Sequence, residues 1–103
     1  AAAIRLAGDK LGYFHIGESN RGYLGSGVID FTAAFDALHA IDYDDWMTFE
    51  SFSSEVVDED LSVTCAIWRN TWTDNVEVAR LAKAFIEAKQ GEAERKAIAN
   101  RTP

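Results

Sequence analysis

The sequence is poor in cysteine and proline, with a single residue of each among 103 residues. One cysteine cannot form an internal disulfide, and it leaves no cysteine pair for a structural zinc site. Long apolar runs are also missing. The apolar opening at residues 1–6 is interrupted by Arg5 and is too short for a secretory signal or a spanning helix. We therefore expect a cytoplasmic protein.

Positive charge is scarce as well. Lys and Arg number 10 against 17 Asp and Glu, which gives a net charge of −7 and a pI near 4.6. Such a chain repels phosphate backbones and anionic lipid, so we expect neither nucleic acid nor a membrane as a partner. A hydrophobic content of 48% with three tryptophans is typical of a packed globular protein, and this length supports one folding unit.

The first half of the chain alternates helical and strand patterns. Residues 1–7 are strong helix formers that stop at Gly8, the residue type favoured after a helix C-terminus. Residues 11–16 are largely apolar without clean alternation, which predicts a parallel strand covered on both faces. Residues 17–27 contain four glycines among polar residues and predict a loop.

A second strand follows a crossover helix. Asp30 is a good N-cap, and apolar residues then recur at the spacing of a helix that buries one face: Phe31, Ala34, Phe35, Leu38 and Ile41. Residues 46–52 predict the second strand. A strand, helix, strand unit is almost always right-handed with parallel strands. The fold class is therefore α/β, with two parallel strands plus helices.

The second half of the chain predicts helices only. Asp58 or Asp60 can start a helix that runs through Trp68 and Trp72, and Asp74 with Glu77 resembles a capping box before a further helix. Residues 87–103 keep helix propensity but have little to bury, so we expect an exposed or swapped helical tail.

Candidate functional residues lie where the two predicted strands end. Ligands in parallel α/β folds bind beyond the carboxyl ends of the strands, so His15 and Glu50 are expected to lie together at that end of the sheet. An imidazole and a carboxylate are acceptable ligands for manganese, magnesium, cobalt or zinc, although two ligands do not define a metal. Arg21 lies in the glycine-rich segment, where its donors could hold a substrate hydroxyl or oxyanion.

Two strings carry a family resemblance. HIGESNRGYLGSG at residues 15–27 and IDYDDWMTFESF at residues 41–52 resemble the C-terminal part of the ketose 3-epimerases of the D-tagatose and D-psicose type. These enzymes belong to the xylose-isomerase-like sugar isomerase/epimerase barrels. The resemblance implies that residues 1–103 are a C-terminal fragment of a (β/α)8 TIM barrel, a fold of about 250 residues.

The resemblance also implies roles for particular residues. In the family, two glutamates, an aspartate and a histidine bind a divalent metal, and the two glutamates exchange a proton at C3 of a ketose through an enediolate. His15 and Glu50 match two of the metal ligands, and Glu50 matches one acid/base residue. Arg21 then contacts substrate oxygens, and Phe52 lines the apolar side of the pocket. We expect Mn²⁺, with Mg²⁺ or Co²⁺ as alternatives.

The segment by itself is expected to be catalytically incomplete, since the other glutamate and the aspartate match no residue here. Two parallel strands with unpaired edges also favour homo-oligomers. Two alternatives remain open. One is another barrel of the superfamily, of the hydroxypyruvate isomerase or inosose dehydratase type. The other is an acidic interaction module in which His15 and Glu50 are only structural. Glu18 is expected to hydrogen-bond within the loop and is left out of the site.

Overall fold

The computed structural model describes residues 1–101, and it consists of a strand, helix, strand unit flanked by helices. The elements are, in chain order, α1 (Ala2–Ala7), β1 (Phe14–Ile16), α2 (Phe31–Ala40), β2 (Met47–Phe49), α3 (Glu59–Thr64) and α4 (Asn75–Arg101). A 3-10 turn at Gly8–Lys10 ends α1, and Gly8 adopts a φ of 51° there, as its position predicted. Residues 17–30, which connect β1 to α2, are called the glycine-rich loop below.

The two strands pair in parallel, which confirms the predicted unit. The paired residues are Phe14 with Met47, His15 with Thr48, and Ile16 with Phe49. Each strand is shorter than its predicted range because only these three residues of each have a strand partner within residues 1–101.

Helix α2 is the crossover helix, and it packs against the sheet. The Asp30 carboxylate accepts a hydrogen bond from the backbone N–H of Ala33 at 3.0 Å, which confirms the predicted N-cap. Phe31 and Phe35 on α2 are buried in a common cluster with Ile16 of β1. Burying a side chain of this size stabilises the fold by about 1.5–3 kcal/mol. This core fixes the strand that carries His15.

The sheet is covered on one face only. Along β1, Ile16 is buried and Phe14 is half-buried, whereas His15 between them is exposed. The helices therefore cover one side of the strands. The prediction of a strand covered on both faces is wrong for the described chain, since the side that carries His15, Thr48 and Glu50 has no layer over it within residues 1–101.

Helix α3 is much shorter than predicted. Asp58 does cap it, with its carboxylate accepting from the backbone N–H of Asp60 at 3.0 Å, but the helix ends at Thr64. The prediction of a helix through Trp68 and Trp72 is therefore wrong.

The physical cause is a C-terminal capping motif. Ala66 takes a left-handed φ of 54°, and its N–H donates to the carbonyl of Val63 at 3.2 Å. The N–H of Ile67 donates to the carbonyl of Ser62 at 2.8 Å. These two bonds form the Schellman arrangement that closes a helix. A glycine usually occupies the position that Ala66 has here. Because Ala66 is not a glycine, the end of helix α3 could not be predicted from the sequence.

Helix α4 is capped by Asp74, the first residue of the predicted capping box, and then runs to Arg101. The Asp74 carboxylate accepts from the backbone N–H groups of Val76 and Glu77 at 2.9 and 3.0 Å. At 27 residues α4 is the longest element, yet no helix of residues 1–101 combines the length and apolar character needed to cross a membrane.

The predicted tail at residues 87–103 is helical through Arg101 and is attached to α2. Ala93 is only 4% exposed and belongs to the core cluster. Lys96 forms an ion pair with Asp36 of α2 at 3.0 Å, and Lys89 donates to the Thr32 hydroxyl at 2.8 Å. A small side chain and long amphipathic lysines thus replace the missing large apolar residues. The last part of the predicted tail, residues 102 and 103, lies outside the described residues.

The open sheet generates a prediction for the isolated chain. Unpaired strand edges and an uncovered face favour association, so we expect sedimentation velocity at micromolar concentration to show species larger than the 11.4 kDa monomer. Trp46, which precedes β2 and is 73% exposed, should contribute. W46K should shift the distribution towards monomer, because a lysine beside a strand disfavours pairing.

The matched control is W68K, which changes a similarly exposed tryptophan on the connection after α3. It should leave the distribution unchanged. A monomeric wild-type chain with one cooperative melting transition would contradict the prediction.

Candidate functional site

The parallel register brings His15 and Glu50 to one edge of the sheet. His15 lies opposite Thr48, and Glu50 is two positions beyond Thr48, so it shares that face of the sheet because side chains alternate along a strand. The backbone N–H of Glu50 donates to the carbonyl of Ile16 at 2.9 Å, which extends the ladder past the last strand residue. Both side chains therefore lie at the carboxyl ends of the strands, as predicted.

The two side chains contact each other directly. Nδ1 of His15 lies 3.1 Å from Oε2 of Glu50. The imidazole also packs edge-on against the ring of Tyr13, with the centroids 5.1 Å apart, and the Tyr13 hydroxyl hydrogen-bonds to Oγ1 of Thr48 at 2.5 Å. His15 is thus held between an aromatic ring and a carboxylate while its side chain stays 58% exposed.

Arg21 and Phe52 complete the group of residues that the sequence singled out. Nη1 of Arg21 lies 4.0 Å from Oε1 of Glu50, and its guanidinium carbon lies 5.9 Å from the centroid of the Phe52 ring. A guanidinium over an aromatic face is an attractive arrangement. The structure therefore places all four predicted residues together, with one cation, one carboxylate and one imidazole around an opening beside an apolar ring.

The backbone of Arg21 is held from two sides. Its N–H donates to the carbonyl of Glu18 at 3.0 Å, and its carbonyl accepts from the N–H of Phe52 at 2.9 Å. The Ser51 hydroxyl donates to the same carbonyl at 2.5 Å. Arg21 also has a left-handed φ of 64°, a conformation that costs a residue with a side chain about 1–3 kcal/mol. The surrounding bonds offset that cost.

The donor set fits part of a divalent metal site. Two neighbouring ligands of an octahedral ion at about 2.1 Å lie about 3 Å apart, which is close to the separation of Nδ1 of His15 and Oε2 of Glu50. Within residues 1–101, however, no cluster of three or more His, Cys, Asp or Glu side chains could hold an ion. Within this part of the chain, His15 and Glu50 could therefore supply at most two ligands to such an ion.

Glu18 is the residue that sequence reasoning undervalued. It is only 3% exposed. Its Oε1 accepts from the backbone N–H and hydroxyl of Ser19 at 2.8 and 3.1 Å and from the N–H of Ile29 at 3.3 Å. Its Oε2 accepts from the N–H of Gly25 at 2.9 Å. The expected hydrogen bonding within the loop is confirmed, and it spans nearly the whole loop.

These contacts set the charge state of Glu18. Burial alone would raise the pKa of its carboxyl, but hydrogen bonds from the backbone of Ser19, Gly25 and Ile29 and from the Ser19 hydroxyl together bring the pKa below the ordinary value of 4.5. Glu18 is therefore a buried carboxylate stabilised by donors of its own loop. The sequence feature that could have indicated this role is the polar segment around it. Glu18, Ser19 and Asn20 all form hydrogen bonds readily, and they lie among glycines.

Comparison with known proteins places this arrangement in a family. The model of the xylose isomerase-like TIM barrel family matches residues 1–85. The L-ribulose 3-epimerase of Mesorhizobium japonicum is 60% identical over 95 residues, which is 92% of this chain and 32% of that relative. The chain thus spans about a third of the length of the curated relative it matches.

Solved structures agree with the sequence match. A structure of an L-ribulose 3-epimerase superposes with a TM-score of 0.93 at 58% identity, covering 98% of this chain and 34% of that one. The D-allulose 3-epimerase of Methylomonas sp. in complex with D-allulose gives a TM-score of 0.82 at 54% identity, covering 86% of this chain and 31% of the other. The two strands and their helices are therefore arranged as in these barrels.

The pKa of Glu18 predicts a pH-dependent contribution to stability. Because the pKa is lower in the folded chain than in the unfolded one, the stabilisation is fully present above about pH 4.5 and is lost as the pH falls through the folded pKa. Denaturant midpoints of wild type and E18Q, measured between pH 7 and pH 3, should differ most at pH 7 and converge in acid. E87Q, which changes an exposed glutamate on α4, should show no such convergence, and a constant gap for E18Q would contradict the prediction.

Proposed function

Because the chain belongs to the xylose isomerase-like TIM barrel family, we propose that it forms about a third of a sugar epimerase that interconverts ketoses at C3, such as D-fructose and D-psicose. The observation that supports this most directly is the placement of Nδ1 of His15 3.1 Å from Oε2 of Glu50 at the strand ends, beside Arg21. Relatives named for L-ribulose and D-allulose epimerisation support the same reaction class.

Glu50 is the proposed acid/base residue. Its carboxylate is 39% exposed on the open side of the sheet, so it can reach a sugar carbon while its neighbours orient it. In this reaction it removes the proton at C3 or returns one there. A positioned carboxylate contributes about 10²–10⁴-fold to such a proton transfer. A second acid/base residue acting on the other face of the sugar has to come from outside this chain.

His15 and Glu50 are the proposed metal ligands, and Mn²⁺ is the proposed ion. A bound divalent ion would act as a Lewis acid that stabilises negative charge on the substrate oxygens. The ring contact with Tyr13 holds the imidazole in place for this role.

Arg21 and Phe52 are the proposed substrate-binding residues. The guanidinium presents several donors in a plane and can hold two sugar oxygens at once. Phe52 offers an apolar wall below it. Together they orient the carbon chain of the sugar so that C3 faces the Glu50 carboxylate.

Activity is best tested in a composite enzyme, in which this chain replaces the matching third of the M. japonicum L-ribulose 3-epimerase. The 60% identity over 95 residues favours correct packing. We expect the composite to epimerise D-fructose or L-ribulose, measured by chromatography of the products, and to incorporate deuterium at C3 in D₂O. E50Q should lower kcat by at least about 10²-fold because it removes the proton-transfer group.

The control is E87Q, which should keep wild-type kcat. A composite that folds but epimerises no ketose would contradict the proposed function, whereas full activity of E50Q would contradict the role of Glu50. Isomerisation of hydroxypyruvate in place of ketose turnover would support the other barrel enzymes of the family.

Metal binding gives an independent prediction. In the composite, H15A should weaken Mn²⁺ binding by at least about tenfold in calorimetric titration, because the loss of a direct ligand costs at least as much as the loss of a supporting group. H39A changes the other histidine, which lies in α2 near its C-terminus, and should leave the affinity unchanged. Equal affinities for the two variants would rule out His15 as a ligand.

A further inference from the structure

The glycine-rich loop closes around one buried carboxylate. The donors to Glu18 come from its start, its middle and its end, at Ser19, Gly25 and Ile29. The carboxylate therefore ties three parts of the loop to one point at the end of β1. Four donors on one buried carboxylate also leave it little freedom to move.

The backbone of Glu18 is also hydrogen-bonded to Arg21. The carbonyl of Glu18 accepts from the N–H of Arg21 at 3.0 Å, and the carbonyl of Arg21 accepts from the N–H of Phe52. The turn at residues 18–21 is thus fixed by Glu18 at its start and by the exit of β2 at its end. The left-handed φ of Arg21 depends on this double attachment.

We propose that Glu18 is a positioning residue for Arg21: its buried carboxylate holds the glycine-rich loop in the conformation that keeps the Arg21 guanidinium over Phe52 and beside Glu50. This inference rests on the proposed function, in which Arg21 binds the sugar. Glu18 acts through the loop backbone and does not take part in proton transfer.

The loop is built to fit a carboxylate at this position. A Cβ atom added at Gly27 would lie 2.5 Å from Oε1 of Glu18 and 2.3 Å from the Ser19 hydroxyl oxygen. Any side chain at residue 27 would therefore push the carboxylate out of place. Gly27 is required here by close packing against Glu18.

An amide cannot replace the carboxylate. Both oxygens of Glu18 accept from backbone N–H groups, Oε1 from Ser19 and Ile29 and Oε2 from Gly25. A glutamine has one acceptor oxygen and one NH₂ group that only donates. In either orientation of the amide, a donor would face a backbone donor. E18Q is therefore nearly isosteric and still disrupts the loop.

The test is a double-mutant cycle in the composite enzyme with wild type, E18Q, R21A and E18Q/R21A. In the wild-type background, E18Q should lower kcat/KM by about 10–100-fold, the loss expected when a substrate-binding group is displaced by about 1 Å. In the R21A background the same change should lower kcat/KM by less than about twofold. E87Q should have no effect in either background.

Equal losses from E18Q in both backgrounds, or no loss in either, would overturn the proposal. G27A provides a second route to the same displacement if E18Q fails to fold, and its loss should likewise vanish in the R21A background. A composite without any turnover would instead contradict the proposed function.

A crystal structure of E18Q decides the proposal without reference to turnover. The Arg21 guanidinium should have left its place 5.9 Å from the centre of the Phe52 ring, while His15 and Glu50 keep theirs. An unmoved guanidinium would overturn the proposal, and displacement of all three groups together would show general disorder in place of a specific positioning role.

Discussion

The parallel pairing of β1 with β2 is the constraint on which the site depends. The register sets His15 opposite Thr48, and the alternation of side chains then places Glu50 on the same face, one step further along. A shift of one residue in either strand would move one of the two groups to the helix-covered side. Helix α2 secures the register because Phe31 and Phe35 pack in one cluster with Ile16.

A second constraint acts on the loop beyond β1. A buried charge is tolerated only when its hydrogen bonds are satisfied, and the donors to Glu18 come from the backbone of the loop itself. If the loop opened, the Glu18 carboxylate would lose the backbone donors that stabilise its charge. That coupling lets Arg21 hold an unfavourable left-handed backbone next to Glu50. The position of Arg21 beside the exposed face of the sheet thus depends on hydrogen bonds made within the loop that follows β1.

Much of this arrangement was predictable from local patterns. Asp30, Asp58 and Asp74 each cap a helix as their residue type indicated, and the apolar spacing after Asp30 identified the crossover helix. Once that helix was known, parallel strands and the convergence of His15 with Glu50 followed from general topology. The resemblance of residues 15–27 and 41–52 to an epimerase barrel supplied the family, which the comparisons confirm.

The remaining features depend on contacts that no local pattern encodes. Helix α3 ends at Thr64 because Ala66 adopts a left-handed conformation usually left to glycine, which lets the N–H groups of Ala66 and Ile67 close the helix onto its own last carbonyls. The open face of the sheet follows from tertiary packing, since the helices that pack against the sheet within residues 1–101 lie on the side opposite His15. Glu18 looked like an ordinary loop residue because its burial arises only when Gly25 and Ile29 fold back over it. The roles of His15, Glu50, Arg21 and Phe52 in catalysis stay predictions.

The measurement that addresses the central claim most directly is an anomalous-scattering map from crystals of the composite enzyme grown with Mn²⁺. We predict one strong peak within coordination distance of both Nδ1 of His15 and the Glu50 carboxylate, with the Arg21 guanidinium beside it. A peak bound by neither residue, or an imidazole and a carboxylate that face apart across the sheet, would contradict the account.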